Sequence, residues 1–463
     1  MRADTPNCRR AAVLGLLGLI GALLAACSTA HYPVNVPLTR SHSADGYALR
    51  NLRAPDNSDS LSILLTFSGG GYRAAAMAYA ALEVLRDSPI QWEGEPRTVL
   101  QELDILSAVS GGSLTAAYYA LDSEHFFSGF RDRVLAFDLQ SRLLSRSLSP
   151  YGLWQQTSPT FGRGDILQEL LDEHVFERRT FADMPRRRTM VYLNATDMRF
   201  GDRFEFSQDQ FDHMCSDLDQ LPIARAVAAS MAVPVVLSPV TLWSYRDRCP
   251  VDIQPIPLLG RSASSRHIHL LDGGLSDNTG VRMAIENVAA RGGLARTARL
   301  AGFRGVKVRA IIVVNAQVDP PDHEDDSPRT PGLLRQLRSV IDVPIDRYSA
   351  SSLQSLSDAV RQWHADLEGG PDAQSAGEGP IEQIHLIEIS VENARDAEAA
   401  DAVRHIPTSL RIDESQIESI RRFVRREFDL NPAWRQFLLR LNSAQVPLKS
   451  ATLSTSLVSG EAP

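Results

Sequence analysis

The chain has 463 residues, of which 43% are hydrophobic and 22% charged, with 29 Gly, 26 Pro and four Cys. These values are typical of a globular protein and exclude a collagen-like, disordered or multi-span membrane chain. The net charge is −8 and the basic residues form no stripe, which argues against nucleic acid as a partner. The length alone predicts two or three domains, although one α/β domain can exceed 250 residues.

The first 27 residues differ from all that follows. Three arginines, Arg2, Arg9 and Arg10, precede the uncharged run 11–26. This run is short for a bilayer span of about 20 residues and is flanked as a signal peptide is. The string Leu-Ala-Ala-Cys that ends at Cys27 resembles the lipobox of bacterial lipoproteins.

That resemblance implies that residues 1–26 are a signal peptide and that Cys27 carries a lipid anchor in the bacterial cell envelope. Ser28 in the next position favours the outer membrane, with the protein facing the periplasm. An uncleaved membrane helix, or an ordinary secretory signal peptide with a chance cysteine, is the alternative.

Residues 27–60 are polar and irregular, which predicts a lipidated tether that leads to a first core strand at Leu61. Cys215 and Cys249 are the cysteines left for the folded region. Disulfides persist in an oxidising compartment, so we expect either one Cys215–Cys249 bridge or two unpaired thiols.

Two segments share the order strand, glycine turn, helix. Leu61–Phe67 is followed by Gly69-Gly70-Gly71 and a helical stretch over 72–86, and Leu103–Val109 by Ser110-Gly111-Gly112 and a helix over 114–121. Further apolar runs over 190–193, 267–271 and 308–314 each end at a polar or glycine corner. This alternation predicts a mostly parallel α/β sheet with the functional site at the carboxyl edge of its strands.

The corner Gly69-Gly70-Gly71 could bind an anion through free backbone N–H groups at a helix start. The lysine of a nucleotide-binding loop is missing and GxGxxG does not fit, which argues against a dinucleotide or nucleoside triphosphate site. The same geometry suits the oxyanion of acyl transfer. A tight turn without chemistry is the alternative.

Ser110 is the candidate nucleophile, because a serine between small residues on a strand-to-helix turn projects its hydroxyl outward. Ala108 stands where the GxSxG pattern has its first glycine, and Gly112 fills the second position.

A serine needs a base within hydrogen-bond reach. Asp272, followed by Gly273 and Gly274, ends an apolar run, although a plain Asp-Gly turn is the alternative. A histidine base would be one of four later residues that lie on no convincing strand-end loop, namely His323, His364, His385 and His405.

The order glycine corner, serine elbow, Asp-Gly-Gly corner resembles the patatin-like phospholipase family. Two further blocks, 194–197 and 224–234, resemble family segments, and the resemblance covers about 61–282. It implies a three-layer α/β/α fold and a Ser-Asp dyad, with Ser110 as nucleophile and Asp272 as base. It also implies an oxyanion hole supported by Arg73 and built from Gly69, Gly70 and Gly71.

We therefore expect a catalytic domain over 61–318, with an insertion over 122–185 that forms a lid or acyl-chain groove, or simply helices packed on the sheet. Residues 319–463 are expected to form a helical extension packed on that domain. The predicted function is a lipid acyl hydrolase of phospholipase, lysophospholipase or esterase type, without metal or cofactor, acting on phospholipid or another ester lipid. A non-catalytic lipid- or protein-binding lipoprotein and an acyltransferase are the alternatives, and no protein partner is indicated.

Overall fold

The computed structural model describes residues 28–40, 42, 45–52, 57–185, 189–250, 265–303, 305–318, 330, 332–369 and 383–443. The predicted signal peptide over 1–26 and the predicted lipidation at Cys27 lie outside these residues. Most of the predicted loops over 319–330 and 369–379 lie outside them as well.

An eight-stranded mixed sheet is the centre of the fold, and small two-stranded pairings lie beside it. The strands, in chain order, are β1 Val36–Pro37, β2 Leu61–Phe67, β3 Pro89–Trp92, β4 Glu95–Thr98, β5 Leu103–Val109, β6 Met190–Asp197, β7 Arg203–Glu205, β8 Ser216–Asp217, β9 Val240–Trp243, β10 His267–Asp272, β11 Val308–Asn315 and β12 Gln383–Ser390. The order across the main sheet is β12-β11-β2-β5-β6-β10-β9, and β7 pairs with β6. Strands β12, β11, β2, β5 and β6 run parallel to one another.

Helices cover both faces of this sheet, so the predicted three-layer α/β/α fold is confirmed. They are α1 Leu49–Leu52, α2 Gly71–Arg86, α3 Gly111–Leu121, α4 Phe126–Phe130, α5 Leu139–Leu148, α6 Pro150–Gln155, α7 Arg163–His174, α8 Gln208–Asp212, α9 Ile223–Ser230, α10 Gly274–Asp277, α11 Arg282–Ala290, α12 Leu294–Leu300, α13 Leu333–Gly369, α14 Ala397–Arg404, α15 Glu414–Leu430 and α16 Pro432–Ser443. A π-helix spans Arg131–Leu135, and short 3-10 helices span Val99–Glu102, Phe181–Asp183 and Arg246–Arg248. Strands β2, β6 and β11 are buried along their whole length, as expected of parallel strands covered on both sides.

Strand β10 differs from the sequence expectation, because it runs antiparallel to β6. Only three residue pairs join the two strands, and Asp272 lies opposite Ala195. Strand β10 therefore enters from beyond the carboxyl edge of the parallel strands and ends level with that edge. Asp272 arrives there because this overlap is short, and not because β10 shares the direction of its neighbours.

The segment predicted as a tether is folded against the domain wherever the structure describes it. Tyr32 is buried and its hydroxyl accepts a hydrogen bond from Trp243 Nε1 at 3.0 Å. The buried amide of Asn35 donates to Ser216 Oγ at 2.7 Å, and β1 pairs with β8. The physical reason is that aromatic and amide side chains in this segment find buried partners, which a free tether would lack.

The insertion over 122–185 divides into a core half and an exposed half. Phe126 and Phe130 are fully buried and pack against Tyr79 of α2. These aromatic side chains thus follow the plain packing alternative. Helices α5 and α6, in contrast, carry several exposed large apolar side chains.

The described part of 319–443 belongs to the same fold. Strand β12 extends the central sheet in parallel with β11, and α15 packs on α2. Arg421 of α15 donates to both carboxylate oxygens of Glu83 at 2.6 and 2.8 Å. The buried carboxylate of Glu427 accepts the backbone N–H groups of Arg395 and Asp396, each at 2.9 Å. This region therefore contributes a strand to the sheet as well as helices packed on it.

Cys215 and Cys249 form a disulfide, and their Cα atoms are 5.2 Å apart. The bridge joins the start of β8 to the segment that follows β9. Of the two sequence alternatives, the structure therefore has the bridge.

We expect the double variant Cys215→Ser, Cys249→Ser to lose about 3 kcal/mol of free energy of unfolding, because the 34-residue separation closes a long loop in the unfolded chain. Urea unfolding followed by circular dichroism measures this loss. Wild-type protein treated with reductant should match the double variant, and an unchanged midpoint in both samples would contradict the prediction.

Candidate active site

Ser110 occupies a strained turn between β5 and α3. Its backbone has φ 51° and ψ −122°, in a region that residues other than glycine rarely adopt. The next residue, Gly111, lies so close to the first corner that a Cβ atom there would be 1.9 Å from the carbonyl oxygen of Gly71. Only glycine fits at this position, and the serine turn is therefore held against the glycine corner.

Ser110 and Asp272, which are 162 residues apart in the chain, contact each other directly. Ser110 Oγ donates a hydrogen bond to Asp272 Oδ2 at 2.8 Å. The second oxygen, Oδ1, accepts the N–H of Gly274 at 2.8 Å. Both side chains are buried, with 8% of Ser110 and 3% of Asp272 exposed.

Burial also changes the acidity of this carboxyl group. Desolvation raises the pKa of Asp272 from 3.8 to about 6, and the hydrogen bonds from Gly274 and Ser110 act in the opposite direction. A carboxylate with a raised pKa is a stronger base than an ordinary aspartate. The pair thus has a hydroxyl, a base and a hydrogen bond between them.

Ser230, the last residue of α9, links the two halves of this pair. Its Oγ accepts the backbone N–H of Ser110 at 2.8 Å and donates to the carbonyl of Asn194 at 2.6 Å. Its own carbonyl accepts the N–H of Gly273 at 3.1 Å. One buried serine therefore positions both the serine turn and the Asp-Gly-Gly corner.

Side chains at the carboxyl end of β6 also hydrogen-bond to the end of β5, just before the serine turn, and to the Asp-Gly-Gly corner. The Asn194 amide donates to the carbonyl of Ala108 at 3.0 Å, and the Thr196 hydroxyl donates to the carbonyl of Asp272 at 2.8 Å. Asn194, Thr196 and Ser230 lie in the family-like blocks of the sequence, but none of them carries a predicted role. The signal was present, because a polar residue inside an apolar strand or an alanine-rich helix must find a buried partner.

One prediction about the glycine corner, that Gly69 is an oxyanion donor, is wrong. The N–H of Gly69 donates to the carbonyl of Asn278 at 3.0 Å, so it is not free to bind an oxyanion. Within the described residues, nothing accepts a hydrogen bond from the N–H of Gly70, Gly71 or Gly111. Gly70 and Gly71 have φ 136° and 60°, which turns their N–H groups out of the strand direction. These three amides are the donors available beside Ser110.

Arg73 lies behind this corner and is 3% exposed. It donates to the carbonyls of Ala316 and Ile406 and, at 3.1 Å, to Thr408 Oγ1, all of which are neutral acceptors. Burial lowers its pKa to about 10, so the guanidinium stays charged at neutral pH. Arg73 thereby ties the start of α2 to the end of β11 and to the segment before α15.

The remaining predicted residues lie around these corners. Ala108 is buried in β5, where it pairs with Phe67 and Leu193. Gly112 is in the first turn of α3, where a Cβ atom would be 2.7 Å from the Ser68 carbonyl oxygen.

No described histidine hydrogen-bonds to Ser110. His364 contacts the carbonyl of Ile384, and His405 that of Asp401. His385 is buried within β12, and His323 lies outside the described residues.

The described part of the chain holds no group of three or more His, Cys, Asp or Glu side chains placed to bind a metal ion. Among its helices we find none with the length and apolar content that crossing a bilayer requires.

Comparisons with known proteins locate the family resemblance on this region. The family model for patatin-like phospholipase matches residues 65–285. Human GIVD cytosolic phospholipase A2 is similar with a TM-score of 0.42 and 11% identity, over 83% of this chain and 60% of that one. VipD from Legionella pneumophila is similar with a TM-score of 0.32 and 14% identity, over 90% of this chain and 73% of that one. This chain thus spans less than two thirds of the human enzyme. No curated protein sequence matches it.

The family match extends from β2 to α11 and so includes the glycine corner, the serine turn and the Asp-Gly-Gly corner. Residues 65–285 of this chain are therefore a patatin-like phospholipase domain.

Proposed function

We propose that this protein is a lipid acyl hydrolase, of phospholipase, lysophospholipase or esterase type, that works through a Ser110–Asp272 dyad. The observation that carries the proposal is the 2.8 Å hydrogen bond from Ser110 Oγ to Asp272 Oδ2 at a strained strand-to-helix turn. The family match supports the class of reaction, and the raised pKa of Asp272 supports its role as base.

In the first half of the reaction, Asp272 takes the proton of Ser110 while Oγ attacks the ester carbonyl carbon. The carbonyl oxygen becomes an oxyanion, which the N–H groups of Gly70, Gly71 and Gly111 stabilise. The bond between carbon and the leaving oxygen then breaks. The alcohol or lysolipid takes the proton from Asp272 and departs, and the acyl group stays on Ser110.

In the second half, water replaces the alcohol. Asp272 removes a proton from the water as it attacks the acyl-enzyme, and the same oxyanion site receives the carbonyl oxygen. The intermediate collapses with release of a fatty acid, and Ser110 recovers its proton from Asp272. This cycle needs neither a metal nor a histidine.

The proposed setting is the bacterial cell envelope, with Cys27 lipidated and the domain held at the outer membrane on its periplasmic side. The Cys215–Cys249 disulfide supports an oxidising compartment of this kind. An anchored hydrolase would meet phospholipid or another ester lipid at the bilayer surface, which is the substrate class we propose.

We expect a fluorophosphonate probe to label Ser110 in the wild-type protein, and Ser110→Ala to abolish the adduct and the ester hydrolysis. Asp272→Asn should reduce both by at least about 100-fold, because the base is lost. Mass spectrometry of the labelled peptide gives the readout.

Asp172→Asn is the matched control, since burial also raises the pKa of Asp172 to about 6 but this residue lies on α7. The probe should label Ser110 of the Asp172→Asn variant to the same extent as in the wild type. An adduct on a residue other than Ser110, or full labelling of folded Asp272→Asn, would overturn the dyad.

The rate should depend on pH through Asp272. Only the ionised carboxylate accepts a proton, so kcat/KM should rise tenfold per pH unit below about 6 and level off above it. A pH series with a soluble short-chain ester measures this limb. An acidic limb centred near 4, the value of an ordinary aspartate, would contradict a buried base.

Ser230→Ala should lower kcat by about 10- to 100-fold with little change in KM, because Ser110 loses the partner of its backbone N–H. Ser230→Cys should restore part of the loss, since a thiol retains some donor and acceptor capacity. Ser276→Ala removes another buried hydroxyl that does not contact Ser110, and it should keep kcat near the wild-type value. Equal losses in Ser230→Ala and Ser276→Ala would indicate a general structural effect instead of positioning.

A further inference from the structure

A set of large apolar side chains lies exposed on α5, on α6 and on the loop after α9. The exposed fractions range from 41% for Trp154 to 62% for Leu148. We call this set the apolar rim; it consists of Leu144, Leu148, Tyr151, Leu153, Trp154, Val235 and Val236. A tryptophan, a tyrosine and three leucines on consecutive short helices are costly to leave in water.

One end of the rim lies near the Ser110–Asp272 pair. The carbonyl of Ala232 accepts the backbone N–H of Asp272 at 2.9 Å. Val235 follows three residues later and is therefore no more than about 11 Å from Ala232. Arg163, the first residue of α7, donates to the carbonyl of Val235 at 2.8 Å and so connects this loop to the insertion.

The other end of the rim lies where the described chain begins. The N–H of Ser28 donates to Thr157 Oγ1 at 3.1 Å, and the Thr157 hydroxyl donates to the carbonyl of Trp154 at 2.8 Å. The uncharged run 11–26 ends two residues before Ser28. If this run spans a bilayer, or if a lipid on Cys27 replaces it as proposed above, the chain enters the hydrocarbon phase within a few residues of Ser28 and thus close to Trp154.

The segments that supply the rim are poor in acidic residues. The chain has 56 acidic residues, yet residues 28–44, 139–164 and 220–246, which supply the rim and its neighbours, contain none. Two exposed or half-exposed arginines, Arg142 and Arg146, stand among the rim residues of α5. The Arg146 guanidinium lies 4.8 Å above the Tyr151 ring. Glu169 of α7 pairs with Arg146 at 3.2 Å, and Arg142 remains as the second cation among the rim residues of α5.

We propose that the apolar rim inserts into the surface of the phospholipid bilayer that carries the N-terminal anchor. The indole and phenol rings then lie at the headgroup level, where such side chains are favoured. Loop 233–236 follows Ala232, which hydrogen-bonds to Asp272, and would therefore bring the bilayer surface close to the Ser110–Asp272 pair. This inference deepens the proposed function and rests on it for the identity of the substrate, but the docking itself requires no activity.

Trp154 provides a direct test, because Trp92, Trp363 and Trp434 are buried and Trp243 is half-buried. The full chain is reconstituted in vesicles of phosphatidylcholine and phosphatidylglycerol whose acyl chains carry bromine, a quencher of tryptophan fluorescence. We expect strong quenching in the wild type and its near loss in Trp154→Phe.

Equal quenching in the two proteins would overturn the proposal. If the apolar run 11–26 or a protein covers the rim instead, Trp154 will be shielded from aqueous iodide and yet not quenched by the brominated lipid. That combination would also overturn it.

A second measurement separates docking from catalysis. The double variant Leu148→Ser, Leu153→Ser should hydrolyse vesicle phospholipid at least about threefold more slowly, because it loses apolar contact with the bilayer. It should keep the wild-type rate on a soluble short-chain ester. Leu439→Ser, at a 69% exposed leucine of α16 outside the rim, is the matched control and should change neither rate.

Equal vesicle rates in the rim variant and the control would contradict docking, while the soluble ester would still report on the dyad. An inactive wild type on both substrates, with Trp154 quenched by the lipid, would overturn the proposed function and leave docking supported.

Discussion

The site depends on the contact between two strand-to-helix corners. Strands β2 and β5 are parallel neighbours, and the corners that follow them meet where Gly111 touches the carbonyl of Gly71. A side chain at Gly111 would push the corners apart, because its Cβ atom would overlap that oxygen. The contact brings the free amides of Gly70 and Gly71 beside Ser110 and holds the serine backbone in a strained conformation. The proposed oxyanion site and the proposed nucleophile thus result from one steric constraint.

Asp272, the proposed base, reaches these corners by a different route. Strand β10 is antiparallel to β6, and its short overlap ends with Asp272 opposite Ala195, beside the serine turn. The Ser230 hydroxyl accepts the backbone N–H of Ser110 and donates to the carbonyl of Asn194. The Ser230 carbonyl accepts the N–H of Gly273. The carboxylate is buried with two hydrogen bonds and with no cation among the described residues beside it, so desolvation dominates and its pKa rises. The same burial that weakens an aspartate as an acid makes it useful as a base.

The two ends of the described chain close the fold around this site. The C-terminal region adds β12 to the sheet and supplies the carbonyl of Ile406 and the hydroxyl of Thr408 that hold Arg73. The described N-terminal segment begins beside Thr157, at the apolar rim, and then passes across β9 and β8. An anchor at this point would hold the rim close to the bilayer. In this proposal, the position of Ser28 beside Thr157 sets the orientation of the domain at the membrane.

The sequence by itself determined the local features. The bounds predicted for β2 and β5 are confirmed, because an apolar run that ends in glycine or serine can hardly be continued as a strand. The residue types of the serine turn and the Asp-Gly-Gly corner were likewise readable as motifs. Only the tertiary structure decided the direction of β10, the acceptor that occupies the Gly69 amide, the role of Ser230 and the folding of residues 28–38 onto the domain. Each of these depends on partners distant in sequence, and no local pattern specifies which distant group will satisfy a given backbone amide or buried hydroxyl.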